Sequence, residues 1–481
     1  MDGLTAEALR HLETALACDP NHIPSLIALS NAYLNQREFA KVRGLLEQAL
    51  NSRQDQGEVF FLKAKLHNLQ EENEDASNAI DQAIKLDEGQ SKYYKLASEI
   101  ARMRGKPHER QFFLERLIDL EPLDGEAHYE FGKLLHHPDD FDRAKLLLEI
   151  SIDLLPQNTQ PLYSLAQHLY DGEKSLPDGT VSIQSDPDYA KRLLSKLLLI
   201  KPCESKAKLL LAQIELEGDA KQVAESLYME AFKDERTKGE AAFRLGLIWE
   251  EKGNREKSMR FYKVAMKFDE WQAFGEFRLG LLLLEEGNFK NAEDHFRQCL
   301  TSFEKKTSAL MKSKELHLEK LHFHQSRKEL EALQAVRKCA GEASFGIYKC
   351  NYDSRFDEKV CQHLDEALKL YPHYSEANHE KGLFFLASKD FENANNRFVK
   401  SVENDWNHWP SHLELGKIAK DNDEWQKAEM HFKIVLDLDP KNKTASKLLN
   451  GLRKTLSDCL QIQASSFPTR LDNEGITKRC S

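Results

Sequence analysis

The feature of this sequence that most constrains its fold is a period of about 34 residues. Proline follows an aliphatic and acidic stretch at Pro20, Pro122 and Pro156, where the first interval spans three periods and the second spans one. The same spacing returns further on, where Pro372 and Pro440 are two periods apart. A chain that repeats itself in this way is built from one small structural unit used many times. Dividing its 481 residues by an ordinary domain size of roughly 100–200 residues therefore predicts the wrong architecture.

Small residues recur in register with the prolines. Counted from three places after the proline position, ten units begin at residues 23, 57, 91, 125, 159, 205, 239, 273, 375 and 409. Their eighth positions hold Ser30, Ala64, Ser98, Gly132, Ala166, Ala212, Gly246, Gly280, Gly382 and Gly416. Their twentieth positions hold Ala76, Ala144, Ala190, Ala224, Ser258, Ala292, Ala394 and Ala428, and only Val42 and Arg110 depart. Small side chains at fixed positions let two helices approach each other closely.

A large side chain follows four places after the second small position, for example Tyr262, Phe296 and Phe398. We expect it to fill the space between helix pairs. These units resemble tetratricopeptide repeats, whose pattern is W-x2-L-G-x2-Y, then A-x3-F, then proline. The best copy consists of Glu276, Leu279, Gly280, Leu283, Gly287, Phe289, Ala292 and Phe296. The resemblance covers most of the chain and implies an all-α fold, a right-handed superhelical solenoid of antiparallel helix pairs with a concave and a convex surface.

The repeat register predicts an order of segments along the chain. They are a half repeat with only the second helix (1–22), four units (23–158), a unit with an inserted loop at 172–188 (159–204), three units (205–306), an atypical helical segment with a long basic helix and a degenerate repeat (307–374), two units (375–442), a capping helix (443–462) and a flexible tail (463–481).

Two irregularities interrupt the register early in the chain. Residues 5–20 match only the second half of a unit, so the apolar face with Leu9, Leu12 and Leu16 lacks a partner helix. The alternatives are a fragment of a longer array, a contact with another chain, and a frayed end. The insertion at 172–188 is rich in Gly, Pro, Ser and Asp and predicts a surface loop, either solvated or in contact with a partner.

The third irregularity is the segment 307–374. Residues 309–338 contain no Pro or Gly and place Leu316, Phe323 and Leu330 at sevenfold spacing, which predicts a long helix. Residues 305–338 carry nine Lys or Arg against four Glu. Two interpretations stay open: two eroded repeats with a solvated charged face, and a special contact made by this basic helix.

Composition excludes several classes of protein. Hydrophobic residues make up 41% and charged residues 31%, and no stretch approaches the roughly 20 apolar residues of a bilayer helix. The first residues lack the basic end and apolar core of a signal peptide. We therefore expect a cytoplasmic protein without a membrane segment. The net charge of −11 repels phosphate backbones, so nucleic-acid binding is disfavoured.

Catalytic and metal-binding patterns are absent from the sequence. It contains no phosphate-binding or dinucleotide-binding glycine motif, no nucleophile elbow and no zinc-protease motif. His322 and His324 diverge around a helix, and the adjacent His136 and His137 diverge as well. The eight cysteines are dispersed without a CxxC pair. We predict no enzymatic activity, no cofactor, no metal and no disulfide framework.

In tetratricopeptide arrays the concave groove is lined by first-helix positions two, five, nine, twelve and thirteen. Applied to this sequence, the resemblance yields a candidate partner-binding set with a polar aromatic part and an apolar part. The set consists of Tyr129, Lys133, His136, Tyr163, Gln167, Tyr170, Phe243, Leu247, Phe274, Phe277 and Leu281. Aromatic rings beside amides and a cation suit an extended peptide. The apolar part suits a docked helix, supplied either by a partner or by the chain's own residues 309–338.

The leading hypothesis is a non-enzymatic scaffold or adaptor that binds a protein segment in this groove. One alternative is RNA recognition, as in interferon-induced tetratricopeptide proteins, supported by the basic residues 305–338. Another is a regulatory part of a larger enzyme. The family's clamp for chaperone C-terminal carboxylates is not predicted, because only Asn31 and Lys92 match its five positions when it starts at residue 23. The sequence does not indicate an oligomeric state.

Overall fold

The computed structural model describes residues 2–52, 56–135, 140–175, 181–183, 185–319 and 323–465. These residues form helices almost throughout. The helices are α1 (Asp2–Cys18), α2 (Ile23–Asn35), α3 (Phe39–Ser52), α4 (Gly57–Leu69), α5 (Asn73–Leu86), α6 (Ser91–Met103), α7 (Pro107–Leu120), α8 (Gly125–Leu134), α9 (Phe141–Leu154), α10 (Thr159–Asp171), α11 (Pro187–Ile200), α12 (Ser205–Glu217), α13 (Lys221–Ala231), α14 (Lys238–Glu251), α15 (Arg255–Ala265), α16 (Asp269–Glu285), α17 (Phe289–Glu319), α18 (Phe323–Cys350), α19 (Glu358–Leu370), α20 (Ser375–Ala387), α21 (Phe391–Asn404), α22 (Trp409–Asp421), α23 (Trp425–Leu438) and α24 (Lys443–Ser465).

Contacts divide the chain into two compact units. One consists of Met1–Ile248 with Lys312–Glu329, and the other of Trp249–Met311 with Leu330–Ser481. Within each unit the helices pack in consecutive pairs, such as α4 with α5 in the first and α22 with α23 in the second. The fold is therefore an all-α array of helix pairs, as the repeat register predicted.

The eighth-position glycines lie where a helix meets the large side chain of its partner helix. A Cβ atom added to Gly382 would lie 2.6 Å from Cε1 of Phe398, and one added to Gly416 would lie 2.5 Å from Cε1 of Phe432. Both phenylalanines are fully buried. The predicted close approach of the paired helices at the small residues is confirmed, because there is no room for even a methyl group between them. The large side chain, which we expected between pairs, contacts the small residue within its own pair as well.

The core is a series of small clusters, each shared by neighbouring helices. Near the start of the chain, Leu26 of α2, Leu46 of α3 and Leu62 of α4 pack together. At the other end, Phe432 of α23 packs with Leu449 and Leu452 of α24. Each pair thus buries its apolar face against the next pair.

A short antiparallel hairpin lies inside the predicted surface loop 172–188. Strand β1 (Glu173–Ser175) pairs with β2 (Val181–Ile183), with Glu173 opposite Ile183. Gly172 ends α10 with a left-handed φ of 42°, and a Cβ there would lie 2.5 Å from the backbone of Ser185. Only glycine fits this close return of the chain.

The predicted long helix over 309–338 includes residues 320–322, which lie outside the described residues, and helix is present on either side of them. In the second unit, the last part of α18 packs against α17. Val336, Ala340 and Ile347 form one cluster with Phe296 and Phe303. The predicted tail 463–481 lies outside the described residues from 466 onward. None of the described helices has the length and apolarity needed to cross a bilayer.

Candidate functional site

Three of the polar aromatic candidates lie on α10, and the sequence of this helix explains their alignment. Asn158 caps the helix by accepting a hydrogen bond from the backbone N–H of Gln160 at 3.0 Å. Tyr163, Gln167 and Tyr170 are spaced by four and three residues, so they occupy one face. All three side chains are partly buried.

Tyr170 connects its own repeat to the next one. The Nε2 group of Gln213 on α12 donates a hydrogen bond to the Tyr170 hydroxyl at 2.7 Å, and that hydroxyl donates to Glu217 on the same helix. Beside it, Nε2 of Gln167 donates to Oδ1 of Asp171 at 2.9 Å. We call Tyr163, Gln167, Tyr170, Gln213 and Glu217 the tyrosine wall.

Both phenols of the tyrosine wall stay protonated at neutral pH. Burial, and then the hydrogen bond to Glu217, raise the pKa of Tyr170 above its ordinary value. Burial, and then the charge of Glu240, raise the pKa of Tyr163. The wall therefore presents neutral rings and fixed amide and hydroxyl groups, which suit hydrogen bonding to a peptide backbone.

Two of the tyrosine-wall residues did not belong to the sequence-based set. Gln213 and Glu217 occupy positions nine and thirteen of the unit that begins at 205. The same family positions that selected Gln167 would have found them if they had been applied to that unit. The residue types alone did not predict the hydrogen bonds of Gln213 and Glu217 with Tyr170.

On α8 the candidates separate. The Tyr129 ring is only 5% exposed and belongs to a core cluster, whereas Lys133 is exposed and its Nζ lies 5.4 Å from the centre of that ring. His136 lies outside the described residues. On this helix Lys133 is the candidate that is open to a partner.

The apolar candidates are largely packed within the protein. Phe243 and Leu247 on α14 are partly buried, as are Phe274 and Leu281 on α16. Phe277 is 8% exposed and belongs to the cluster that also contains Val336 and Ile347 of α18.

Phe274 also has partners in the second unit. It meets Phe303 edge-on at 5.5 Å, and Nζ of Lys306 lies 4.7 Å from its ring centre. The same Nζ donates to the backbone oxygen of Glu270 at 3.1 Å, and burial lowers the pKa of Lys306. The apolar surface of α16 is therefore packed against this chain's own α17 and α18 at Phe274 and Phe277. Docking of residues 309–338 in the chain's own groove stays a prediction for 313–332, since the side chains of 313–332 lie outside the described residues.

One group of side chains has the spacing of metal ligands. Within the described part of the chain, His67, Glu72 and Asp75 bring ligand atoms within 4.8 Å of one another. Nδ1 of His67 lies 2.5 Å from a carboxylate oxygen of Glu72, so a hydrogen bond between these two side chains explains why they are close.

Thiol chemistry is disfavoured at Cys339, which packs against the cluster that contains Phe277. Burial raises the pKa of the Cys339 thiol to about 11. This thiol is therefore protonated and weakly nucleophilic at neutral pH.

Two family models described as tetratricopeptide repeat match the chain, one over residues 1–66 and the other over residues 277–305. A search of curated proteins found no match.

Several solved structures are similar to the chain at low sequence identity. YrrB, described as a TPR protein with an unusual peptide-binding site, is 15% identical, with 41% of this chain and 95% of that chain covered and a TM-score of 0.35. The assembly chaperone of RpL4, Acl4 (residues 1–338), is 18% identical over 54% of this chain and 99% of that chain, with a TM-score of 0.41. The Cut9–Hcn1 hetero-tetramer of the APC/C is 12% identical over 94% of each chain, with a TM-score of 0.40.

Proposed function

We propose that this chain, which two tetratricopeptide-repeat models match over residues 1–66 and 277–305, is a non-enzymatic scaffold that binds an extended peptide segment of another protein along the tyrosine wall. The observation that supports this proposal is the placement of the Tyr170 hydroxyl between Gln213 and Glu217 of the adjoining repeat. A hydroxyl held by two partners is fixed in position before a ligand arrives. Fixed aromatic and amide groups lose little conformational freedom on binding, which favours affinity for a flexible peptide.

Exposure along the wall also supports an extended peptide. Tyr163, Gln167 and Tyr170 are partly buried and Glu217 is exposed, so rings and polar tips lie at the surface together. An extended chain offers alternating side chains and unpaired backbone N–H and C=O groups, which match such a surface. A partner's amphipathic helix would need an apolar stripe, and the rings of Phe274 and Phe277 are packed against this chain's own helices.

RNA recognition remains the sequence-based alternative. It depends on the basic residues 305–338, most of whose side chains lie outside the described residues. The cytoplasmic location also stays a prediction from the sequence.

The test is selection of short displayed peptides on the full chain, followed by fluorescence anisotropy with the recovered peptides. Tyr170→Phe removes one hydroxyl that makes two hydrogen bonds, so we expect binding about 5-fold weaker, equivalent to about 1 kcal/mol. The matched control is Tyr189→Phe on α11 of the same repeat. The Tyr189 hydroxyl donates a hydrogen bond to Glu149 at 3.3 Å, and neither residue belongs to the tyrosine wall. Recovery of no binding peptide, or equal effects of the two substitutions, would contradict the proposal.

A further inference from the structure

Two repeats have a tyrosine and an arginine at equivalent positions but differ in one buried polar contact. In the second unit, the Tyr262 hydroxyl donates to Oε2 of Glu250 at 2.6 Å, and Nη2 of Arg278 donates to Oε1 of the same carboxylate. Tyr262 is fully buried. One carboxylate thus satisfies a buried hydroxyl and a guanidinium together.

The same arrangement is incomplete in the first unit. Tyr228 and Arg244 lie one period before Tyr262 and Arg278, but the residue one period before Glu250 is Leu216. Tyr228 is 1% exposed, and no described residue forms a hydrogen bond with its hydroxyl. No described residue accepts a hydrogen bond from Nε of Arg244 either.

The comparison shows which groups the missing carboxylate leaves unsatisfied. Nε of Arg278 also has no partner among the described residues, so this nitrogen does not distinguish the repeats. The difference is the tyrosine hydroxyl, which Glu250 satisfies in one repeat and Leu216 cannot satisfy in the other. A buried hydroxyl without a partner destabilises the fold, because it has given up its hydrogen bonds to water.

The surroundings of Tyr228 place it beside the tyrosine wall. Besides burial, the charges of Arg244, Glu240 and Glu217 act on its hydroxyl, and burial raises its pKa to about 12. Glu217 accepts the hydrogen bond from Tyr170. Arg244 also acts electrostatically on Tyr170. The unsatisfied donors therefore lie near the surface that we propose for peptide binding.

We propose that Tyr228 and Arg244 receive a carboxylate of the bound peptide, which occupies the role that Glu250 plays one repeat later. This inference rests on the proposed peptide-binding function of the wall. A carboxylate accepts from both donors and carries the charge that Arg244 requires. A lysine or arginine of the peptide would be repelled by Arg244 and would satisfy neither donor. A neutral amide would leave the guanidinium charge uncompensated.

The experiment measures the affinity of the selected peptides for the full chain by fluorescence anisotropy. Each acidic residue of a peptide is replaced by its amide, and each peptide is prepared with a free and with an amidated C-terminus. One such change should weaken binding about 10-fold, and the sensitive position shows whether a side chain or the C-terminus supplies the carboxylate.

Substitutions in the protein test the same site from the other side. Leu216→Glu supplies an internal carboxylate, so we expect peptide affinity to fall about 10-fold while the urea midpoint rises. Leu216→Gln is the matched control, because glutamine has nearly the same shape as glutamate but no charge. It should change the peptide affinity and the urea midpoint much less. If Leu216→Glu does not fold, Arg244→Gln should remove the preference for acidic over amide peptides.

The outcomes separate this inference from the proposed function. Peptides that bind equally well with acids or amides, and that are unaffected by Leu216→Glu or Arg244→Gln, overturn the carboxylate site and leave peptide binding intact. Failure to recover any peptide overturns the proposed function itself, and the carboxylate site with it.

Discussion

Eight of the described repeat turns have a left-handed residue at the same position, whatever its side chain is. The positions recur once per repeat, as Arg37, Glu71 and Gly105, then as Asp219, Gly253 and Gly287, and again as Lys389 and Asp423. Their φ values lie between 58° and 74°. A left-handed conformation disfavours side chains with a Cβ atom, so several repeats carry strain that the helix pairing imposes.

Lys389→Gly should therefore stabilise the protein. Glycine adopts the φ of 61° at this position without a Cβ penalty, and we expect a gain of about 1 kcal/mol in the free energy of unfolding. Urea denaturation measures the change. Lys400→Gly, an exposed position inside α21, is the control and should lose about 1 kcal/mol, because glycine weakens a helix interior. A lower midpoint for Lys389→Gly would show that the turn is not strained.

At the scale of elements, a seam of histidines and serines joins α20, α21 and α22. Nδ1 of His379 and Nδ1 of His408 each lie 2.9 Å from Oγ of Ser411. The Ser411 hydroxyl donates to Oγ of Ser401 at 2.8 Å. Because that hydroxyl has a single hydrogen, both imidazoles donate to it through Nδ1–H.

A second histidine pair connects α22 and α23. Nδ1 of His412 lies 3.1 Å from Nδ1 of His431, and Nε2 of His412 donates to the backbone oxygen of Trp406 at 3.0 Å. A neutral His412 that donates through Nε2 accepts through Nδ1, so His431 is the donor in this pair. A proton on Nδ1 of His412 would break the contact.

The last repeats should lose stability in mild acid. Burial, followed by the charges of His408 and Lys417, lowers the pKa of His379 to about 3. Burial, followed by His412 and Lys427, lowers the pKa of His431 to about 4. An unfolded histidine has a pKa of about 6.5, so below that pH the unfolded chain binds more protons than the folded one. Stability is full above pH of about 6.5 and falls as the pH drops towards 4.

Hydrogen exchange of α20–α23 at pH 7 and pH 5, corrected for the intrinsic exchange rate, measures this loss. His431→Gln removes one titrating group and should reduce the pH dependence. His108→Gln, at an exposed position on α7, is the control and should leave it unchanged. Equal protection of α20–α23 at both pH values would contradict the prediction.

At the scale of the whole chain, stability comes from contacts between sequence neighbours. The described clusters join helices that are neighbours along the chain, so each pair depends on the pairs beside it. At the end of this series α24 covers the apolar face of α23. Val435 and Phe432 are fully buried there beneath Leu449 and Leu452.

Truncation after Asp439 should expose that face. Losing the burial of Leu449 and Leu452 should cost about 3 kcal/mol or more and increase the fluorescence of a dye that binds apolar surface. Truncation after Ser465 keeps α24 and serves as the control. An unchanged urea midpoint after truncation at Asp439 would show that α24 does not stabilise the array.

The period predicted the helix pairs and their close contacts well, because those contacts join residues at a fixed distance along the chain. Gly382 and Gly416 lie at such close contacts, as their eighth position in the repeat predicted. The period did not predict the close contact at Gly346, where an added Cβ atom would lie 2.6 Å from the Phe296 ring. This glycine lies within the irregular segment 307–374, where no repeat register indicates its neighbour.

The sequence proposed candidate groove positions and did not distinguish the open side chains from the covered ones. Family positions selected Tyr163 and Tyr170 together with Tyr129 and Phe277, although the first two are partly buried and the last two belong to cores. Residue type and register are the same for an open ring and for a covered one. Exposure depends on what the next helix packs against it.

The sequence by itself determined the all-α repeat, since a regular spacing of small and large residues can bury its apolar faces only by stacking helix pairs. The tertiary structure alone decided which donors have partners. Tyr228 and Tyr262 are equivalent in the repeat, yet one hydroxyl has no partner among the described residues and the other meets Glu250. A hydrogen bond depends on a third residue in another helix, and its presence is settled only when the helices pack.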